Sequence, residues 1–181
     1  PFKTMAGTRF YTKTTPSEDS TAVSRLRRAG ALMVGKSSMH ELGMGVTGLN
    51  VNCGTARNPH HPDHYPGGSS SGSAVAVASG ICPLALGMDG GGSIRIPASL
   101  SGVVGLKTTW GRISRSGTAP LSWSVSTMGP LGATVEDVAA GYVKIAGPDE
   151  SDEWTKQQPE IHLQGFYESR LEGIRLGSVS Y

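Results

Sequence analysis

Apolar positions first recur at helical spacing at Ala22, Val23, Leu26 and Ala29, which predicts a helix capped by Ser17 or Asp19 and ended by Gly30. The run Ala31–Val34 then predicts a short buried strand, and a second, shorter helical stretch follows around Met39-His40-Glu41-Leu42. Residues 1–16 show no clear period and read as loop with at most one short strand. Residues 43–64 are rich in glycine, asparagine and proline and predict a long irregular connection, a type of segment that often carries function. Ser73–Ser79 is uncharged and alternates small with β-branched side chains, a pattern open to buried strand or buried helix, with helix preferred. Leu84–Gly87 and Val103–Lys107 read as strands. The stripe Val135, Val138, Ala139, Tyr142 and Ile145 is the clearest helix, starting at a capping-box-like Thr134-Val135-Glu136-Asp137 and ending at Gly147-Pro148. Residues 149–170 are polar and proline-containing, a linker or surface excursion, before Gly173–Tyr181 resumes a strand-like pattern. Helices interleaved with short apolar strands define an α/β protein with a mostly buried sheet.

Composition narrows this picture. A chain of 181 residues, 37% of them hydrophobic, suits one domain with a sizeable core. The net charge of +2 is spread out apart from Arg25, Arg27 and Arg28, read as one solvated helix face, so nucleic acid is not an expected partner. Cys53 and Cys82 form neither a CxxC pair nor a disulfide framework, which favours a reducing compartment and suggests no metal site. No apolar run reaches the roughly eighteen residues of a membrane span, and the N-terminus has no charged-then-apolar signal region. The chain opens at Pro1 without an initiator methionine and stops in a strand-like stretch, so it is expected to be a piece of something longer.

Three patterns invite functions that their context disfavours. Gly30–Ser37 spells the phosphate-loop pattern GxxxxGK[ST], but a helix precedes it and an apolar strand fills its middle, the reverse of the required strand, loop and helix. Gly68–Gly72 spells GxSxG, which would make Ser70 a nucleophile at a strand end; Asn58–Pro66, with three prolines in nine residues, cannot supply that strand. His60, His61 and His64 lie in a proline-rich loop without helical register or a matching carboxylate, so solvent-exposed or hydrogen-bonded histidines are the better reading than a metal site.

The organising stretch is Tyr65–Lys107, where the loops Gly67–Ser73 and Asp89–Arg95 flank a small-residue segment and an apolar run. A glycine-serine loop opening a helix aims unpaired N–H groups at negative charge. Gly90-Gly91-Gly92-Ser93 leaves successive backbone N–H groups uncovered, fit either for a flexible turn or, if they converge, for an oxyanion hole beside the Ser93 hydroxyl.

The segments Gly35–Gly45, Asn58-Pro59, Pro66–Ser70 and Gly90–Ala98 resemble the amidase signature family. Gly105–Arg112 and Gly129-Pro130 followed by Thr134–Asp137 extend the resemblance, which runs from about residue 5 to 150 and makes 1–181 a partial amidase signature domain with core motifs over 31–137. It implies a mixed central β-sheet surrounded by helices, and amide hydrolysis by a serine, a second serine on a cis peptide, and a lysine. Matched residue by residue, Ser93 falls on the nucleophile and Ser69, twenty-four positions earlier, on the cis serine. The oxyanion donors fall on Gly90, Gly91, Gly92 and Ser93; Ser70, Asp89 and Arg95 fall on supporting positions. Such chemistry needs a base to activate the hydroxyl, here an unprotonated lysine acting through Ser69.

The resemblance places that lysine in a strand upstream of Met5-Ala6-Gly7-Thr8, where this chain has no room for it; Lys36 and Lys3 are not its counterparts. The chain is therefore expected to be a fragment of a full amidase, inactive alone, with a natural truncated homologue as the other reading. Gly68–Ser73, Met39–Gly45 and Asp89–Gly92 are spelled most like plant-type fatty acid amide hydrolases, which implies fatty acid amides or N-acylethanolamines as substrates. The alternatives are the glutaminase subunit of a tRNA-dependent amidotransferase and a non-catalytic homologue. No cofactor or metal is expected. The resemblance also allows a homodimer, peripheral membrane contact through regions outside this chain, and a cytoplasmic or cytosolic membrane-associated setting.

Overall fold

The computed structural model describes residues 2–11, 15–119, 121–168 and 172–175. Its helices are α1 (Thr21–Arg28), α2 (Ser71–Ala78), α3 (Arg95–Ser101) and α4 (Val135–Ile145), and its strands are β1 (Leu84–Asp89), β2 (Val104–Gly105) and β3 (Thr127–Gly132). Single 3-10 turns form at Glu41–Gly43 and Glu153–Thr155.

Local chemistry accounts for most of these boundaries. The α4 start is a reciprocal cap: Thr134 Oγ1 accepts from Asp137 N at 3.1 Å, and the Asp137 carboxylate accepts from Thr134 N at 3.1 Å. Helix α1 starts from Ser20, whose hydroxyl accepts from Val23 N, rather than from Ser17 or Asp19. Asp19 instead pairs with Arg27 at 2.6 Å. The ambiguous small-residue segment is helix α2. Helix α3, which no periodicity announced, tolerates Pro97 because it lies in the first turn, and Gly102 ends it in the left-handed region at φ 68°.

The three strands pair antiparallel in the order β1-β3-β2, with Leu86 opposite Pro130 and Gly87 opposite Gly129. Successive side chains alternate between two packed faces. Leu84, Leu86 and Met128 pack with Ala22, Leu26, Ile113 and Ile145 on the α1/α4 side. Ala85 and Leu131 pack with Ala74, Val77, Ile94 and Ala98 on the α2/α3 side. The α/β class is as expected; within the described residues the sheet is antiparallel. Central strand β3 contains Pro130, which lacks a donor but accepts from Leu106 N at 3.1 Å.

Three expectations are corrected, and the placement of one segment is sharpened. Ala31–Val34 is not a buried strand: it has no regular structure, and Leu32 is 89% exposed because no described strand pairs with it. The strand Val103–Lys107 shortens to Val104–Gly105. Arg25 does not lie on a purely solvated face; its guanidinium donates to the carbonyls of Ile145, Gly147 and Pro148 and so covers the last turn of α4. The start of the 149–170 excursion is docked: Asp149 accepts from Thr21 at 2.6 Å and Ser114 at 2.5 Å, and Thr155 is fully buried. The strand-like pattern of 173–181 lies largely outside the described residues, and Gly173–Arg175 form no strand.

Candidate active site

Both glycine-serine loops sit on the α2/α3 side of the sheet, each running directly into a helix. In the first, Gly68 has no room for a side chain, since a Cβ there would lie 2.6 Å from Gly48 N. The Gly68–Ser69 peptide bond is cis. Ser69 is buried; its carbonyl accepts from His40 N at 3.0 Å, while its hydroxyl has no hydrogen-bond partner among the described residues. Ser70 turns its hydroxyl to β1, accepting from Met88 N at 3.3 Å and donating to Met88 O at 3.4 Å, so it is oriented as a brace. Ser38 O accepts from Gly72 N at 2.8 Å and Ser73 Oγ donates to Leu86 O at 2.8 Å, tying the start of α2 to the 37–38 segment and to β1.

The second loop is wound around one carboxylate. Asp89, fully buried at the end of β1, accepts from Gly92 N at 2.8 Å, Ile94 N at 3.1 Å and Arg95 N at 3.3 Å. It also accepts from Arg95 Nε at 3.1 Å and Nη2 at 3.0 Å. Gly92 is held at φ 124°, where an added Cβ would lie 2.7 Å from Ile96 Cδ1, so only glycine fits. Burial alone would raise the Asp89 pKa; the Arg95 guanidinium and the three N–H groups outweigh it and hold the carboxyl at about 2. A depressed pKa contributes stability above the unfolded-state value of 3.8 that is lost as pH falls toward about 2. Urea titrations at descending pH should show the wild type losing on the order of 2 kcal/mol more than Asp89→Asn across this window.

One bond joins the loops: Ser70 N donates to Ser93 O at 3.1 Å. It sets Ser69 and Ser93 on adjoining backbones. Of the four N–H groups expected as oxyanion donors, that of Gly92 donates to Asp89 at 2.8 Å. Those of Gly90, Gly91 and Ser93 have no acceptor among the described residues. Gly91 borders open space, and Ser93 is half-buried.

Lys107, which sequence reasoning noted only as part of a motif, ties the second loop to the segment before β3. Its Nζ donates to Asp89 O and, at 2.6 Å, to Val125 O, and lies 4.0 Å from Asp89 Oδ1. Burial pushes its pKa down, Asp89 opposes this, and Arg95 adds to it. Two carbonyls occupy the ammonium, which makes Lys107 a clamp between β1 and the segment before β3. Lys36 donates to the Thr4 hydroxyl and is exposed. A half-buried lysine near two main-chain carbonyls was visible in sequence only as the residue following Gly105-Leu106.

The remaining candidates lie elsewhere. His60 Nε2 is 2.9 Å from Ser101 O, and the exposed His61 and His64 rings stack edge-on at 4.3 Å. Among the described residues no three His, Cys, Asp or Glu side chains gather as a metal site, and no helix is long and apolar enough to cross a membrane. Two open cavities, of about 440 and about 370 Å³, are lined by Trp110, Trp123, Ser124 and Trp154, and by Asn58, His61, His64, Tyr65 and Leu100; neither includes Ser69 or Ser93.

An α/β scaffold that presents two serine loops from two helix starts defines the class: the fold is that of amidase-type enzymes. Native peptide amidase from Stenotrophomonas maltophilia superimposes with a TM-score of 0.85 at 42% identity, covering 90% of this chain and 34% of that one. The Amidase family profile matches residues 1–180, and the chain belongs to that family. It is 51% identical over 180 residues to a fatty acid amide hydrolase of Oryza sativa, covering 99% of this chain and 29% of that protein. It is 49% identical over 159 residues to a glutamyl-tRNA(Gln) amidotransferase subunit of Symbiobacterium thermophilum, covering 88% of this chain and 33% of that protein. The chain thus spans about a third or less of the length of these relatives.

Proposed function

We propose that this chain carries the nucleophile part of an amide-hydrolase site. The single observation that carries the reading is the Ser70 N to Ser93 O bond, which fixes the two serine loops side by side with free N–H groups at Gly90, Gly91 and Ser93. In this reading the Ser93 oxygen attacks the amide carbonyl while its proton passes to Ser69, whose own proton goes to an unprotonated lysine. The oxyanion of the tetrahedral intermediate takes hydrogen bonds from the free N–H groups. As the carbon–nitrogen bond breaks, Ser69 returns a proton to the leaving amine and is reprotonated by the lysine. Water then attacks the acyl ester on Ser93, activated along the same relay, and releases the acid. In this reading the lysine is the one that the family resemblance places upstream of Met5, and not Lys107, whose ammonium is held by two carbonyls, nor Lys36.

The substrate in this reading is a lipophilic amide, a fatty acid amide or N-acylethanolamine. The likeness to the rice fatty acid amide hydrolase supports it, as do the exposed apolar side chains of Leu121 and Val125 beside the serine loops. The likeness to the bacterial amidotransferase protein supports glutamine as the second candidate. Assaying the full-length gene product on N-acylethanolamine and on glutamine separates them: amine release from the first and none from the second is expected. Glutamine hydrolysis alone would move the assignment to the amidotransferase reading, and turnover of neither would favour a non-catalytic homologue.

A further inference from the structure

The turn between Pro120 and β3 is uncharged, Leu121-Ser122-Trp123-Ser124-Val125-Ser126, and closes on itself through Ser126 N to Ser122 O at 3.3 Å. Leu121 and Val125 are 46% and 51% exposed.

Each of the two borders a different serine loop. A Cβ placed on Gly43 would lie 3.1 Å from Leu121 Cδ2 and 3.5 Å from Ser69 Oγ, so the Leu121 methyl group and the Ser69 hydroxyl face one small volume that glycine keeps open. A Cβ placed on Gly90 would lie 3.7 Å from Val125 Cγ2 and 3.0 Å from Ser126 Oγ, which sets Val125 beside the first glycine of the nucleophile loop. Lys107 fixes this spacing, because its ammonium bonds both the Val125 and the Asp89 carbonyls. Trp123 lies by the Arg115 guanidinium, 5.5 Å from its ring.

We infer that Leu121 and Val125 form the apolar wall that receives the hydrocarbon portion of the amide next to its carbonyl, and that they set the preference for long acyl chains. The inference rests on the amide-hydrolase reading and deepens it. The occupant follows from the chemistry: the turn offers hydroxyl and hydrocarbon surface and no charge, so it favours a chain without charge, and apolar contact at this place discriminates by covered methylenes.

The test compares kcat/KM for oleamide and butyramide in the full-length gene product. Leu121→Ser and Val125→Ser should each lower the oleamide-to-butyramide ratio by about tenfold. Leu121→Met and Val125→Ile should hold the ratio within about twofold of wild type. Trp123→Ala, in the same turn but beside Arg115, should leave the ratio unchanged. Fluorophosphonate labelling of Ser93 in every variant reports an intact serine loop. If a serine variant fails that check, Val125→Phe replaces it; this variant narrows the wall and should also lower the ratio. An unchanged ratio in variants that label and turn over would overturn the inference while leaving the amidase reading in place. An equal loss in Trp123→Ala would also overturn it, as a general disturbance of the turn. Wild-type protein that hydrolyses neither amide and does not label would overturn the amidase reading, and this inference with it.

Discussion

Ser93→Ala in the full-length gene product is expected to abolish amide turnover, lowering kcat by about 10⁴-fold or more, with the fold unchanged. The reason lies in which atoms hold the loop. The bonds that position residue 93 are made by backbone: Ser93 O accepts from Ser70 N, and the flanking N–H groups of Gly92 and Ile94 donate to Asp89. Alanine keeps all of them and removes only the oxygen that attacks. Ser69→Ala should cost roughly 10²- to 10⁴-fold. It should also leave unfolding unaffected, since the Ser69 hydroxyl bonds to nothing among the described residues. Retained turnover in Ser93→Ala at the wild-type rate would rule out Ser93 as nucleophile.

Asp89→Ala is the substitution expected to damage the structure most. It strips the acceptor from three main-chain N–H groups around the fully buried Ile94 and leaves the Arg95 guanidinium without its partner. Unsatisfied buried donors and a broken ion pair together predict a loss on the order of 3–5 kcal/mol. Thermal unfolding should fall by about 10 °C. Arg95→Ala is the informative comparison, because the Arg95 side chain is 54% exposed and its removal leaves Asp89 with its three backbone donors. It should cost much less. Equal losses in the two variants would show that the ion pair, and not the backbone winding, organises the loop.

The serine-glycine segments and helix α4 were legible because each carries its own local chemistry. Thr134 and Asp137 cap α4 wherever it packs, and three successive glycines mark a stretch of backbone without side chains whatever surrounds it. Strand β3 was hidden because its Pro130 and flanking glycines contradict strand preference, and only its pairing with β1 and β2 makes it a strand. Helix α3 was hidden by Pro97, although a proline in a first turn followed by Gly102 is a signal that could have found it. Ala31–Val34 failed in the opposite way, since an apolar run states a tendency to be buried without naming the strand that would bury it. The bond from Gly92 N to Asp89 was not legible, because spacing alone cannot tell a donor aimed outward from one turned back onto a carboxylate. Lys107 and the wall of Leu121 and Val125 depend on contacts across long sequence separations, which no local pattern encodes.

The central claim is that Ser93 is the nucleophile, held beside Ser69 by the joined loops. Incubating the full-length gene product with a fluorophosphonate and mapping the adduct by peptide mass spectrometry tests it most directly. The account predicts one adduct, on Ser93, absent in Ser93→Ala and formed more slowly in Ser69→Ala. An adduct on Ser70 or another serine, with Ser93 unmodified, would contradict it.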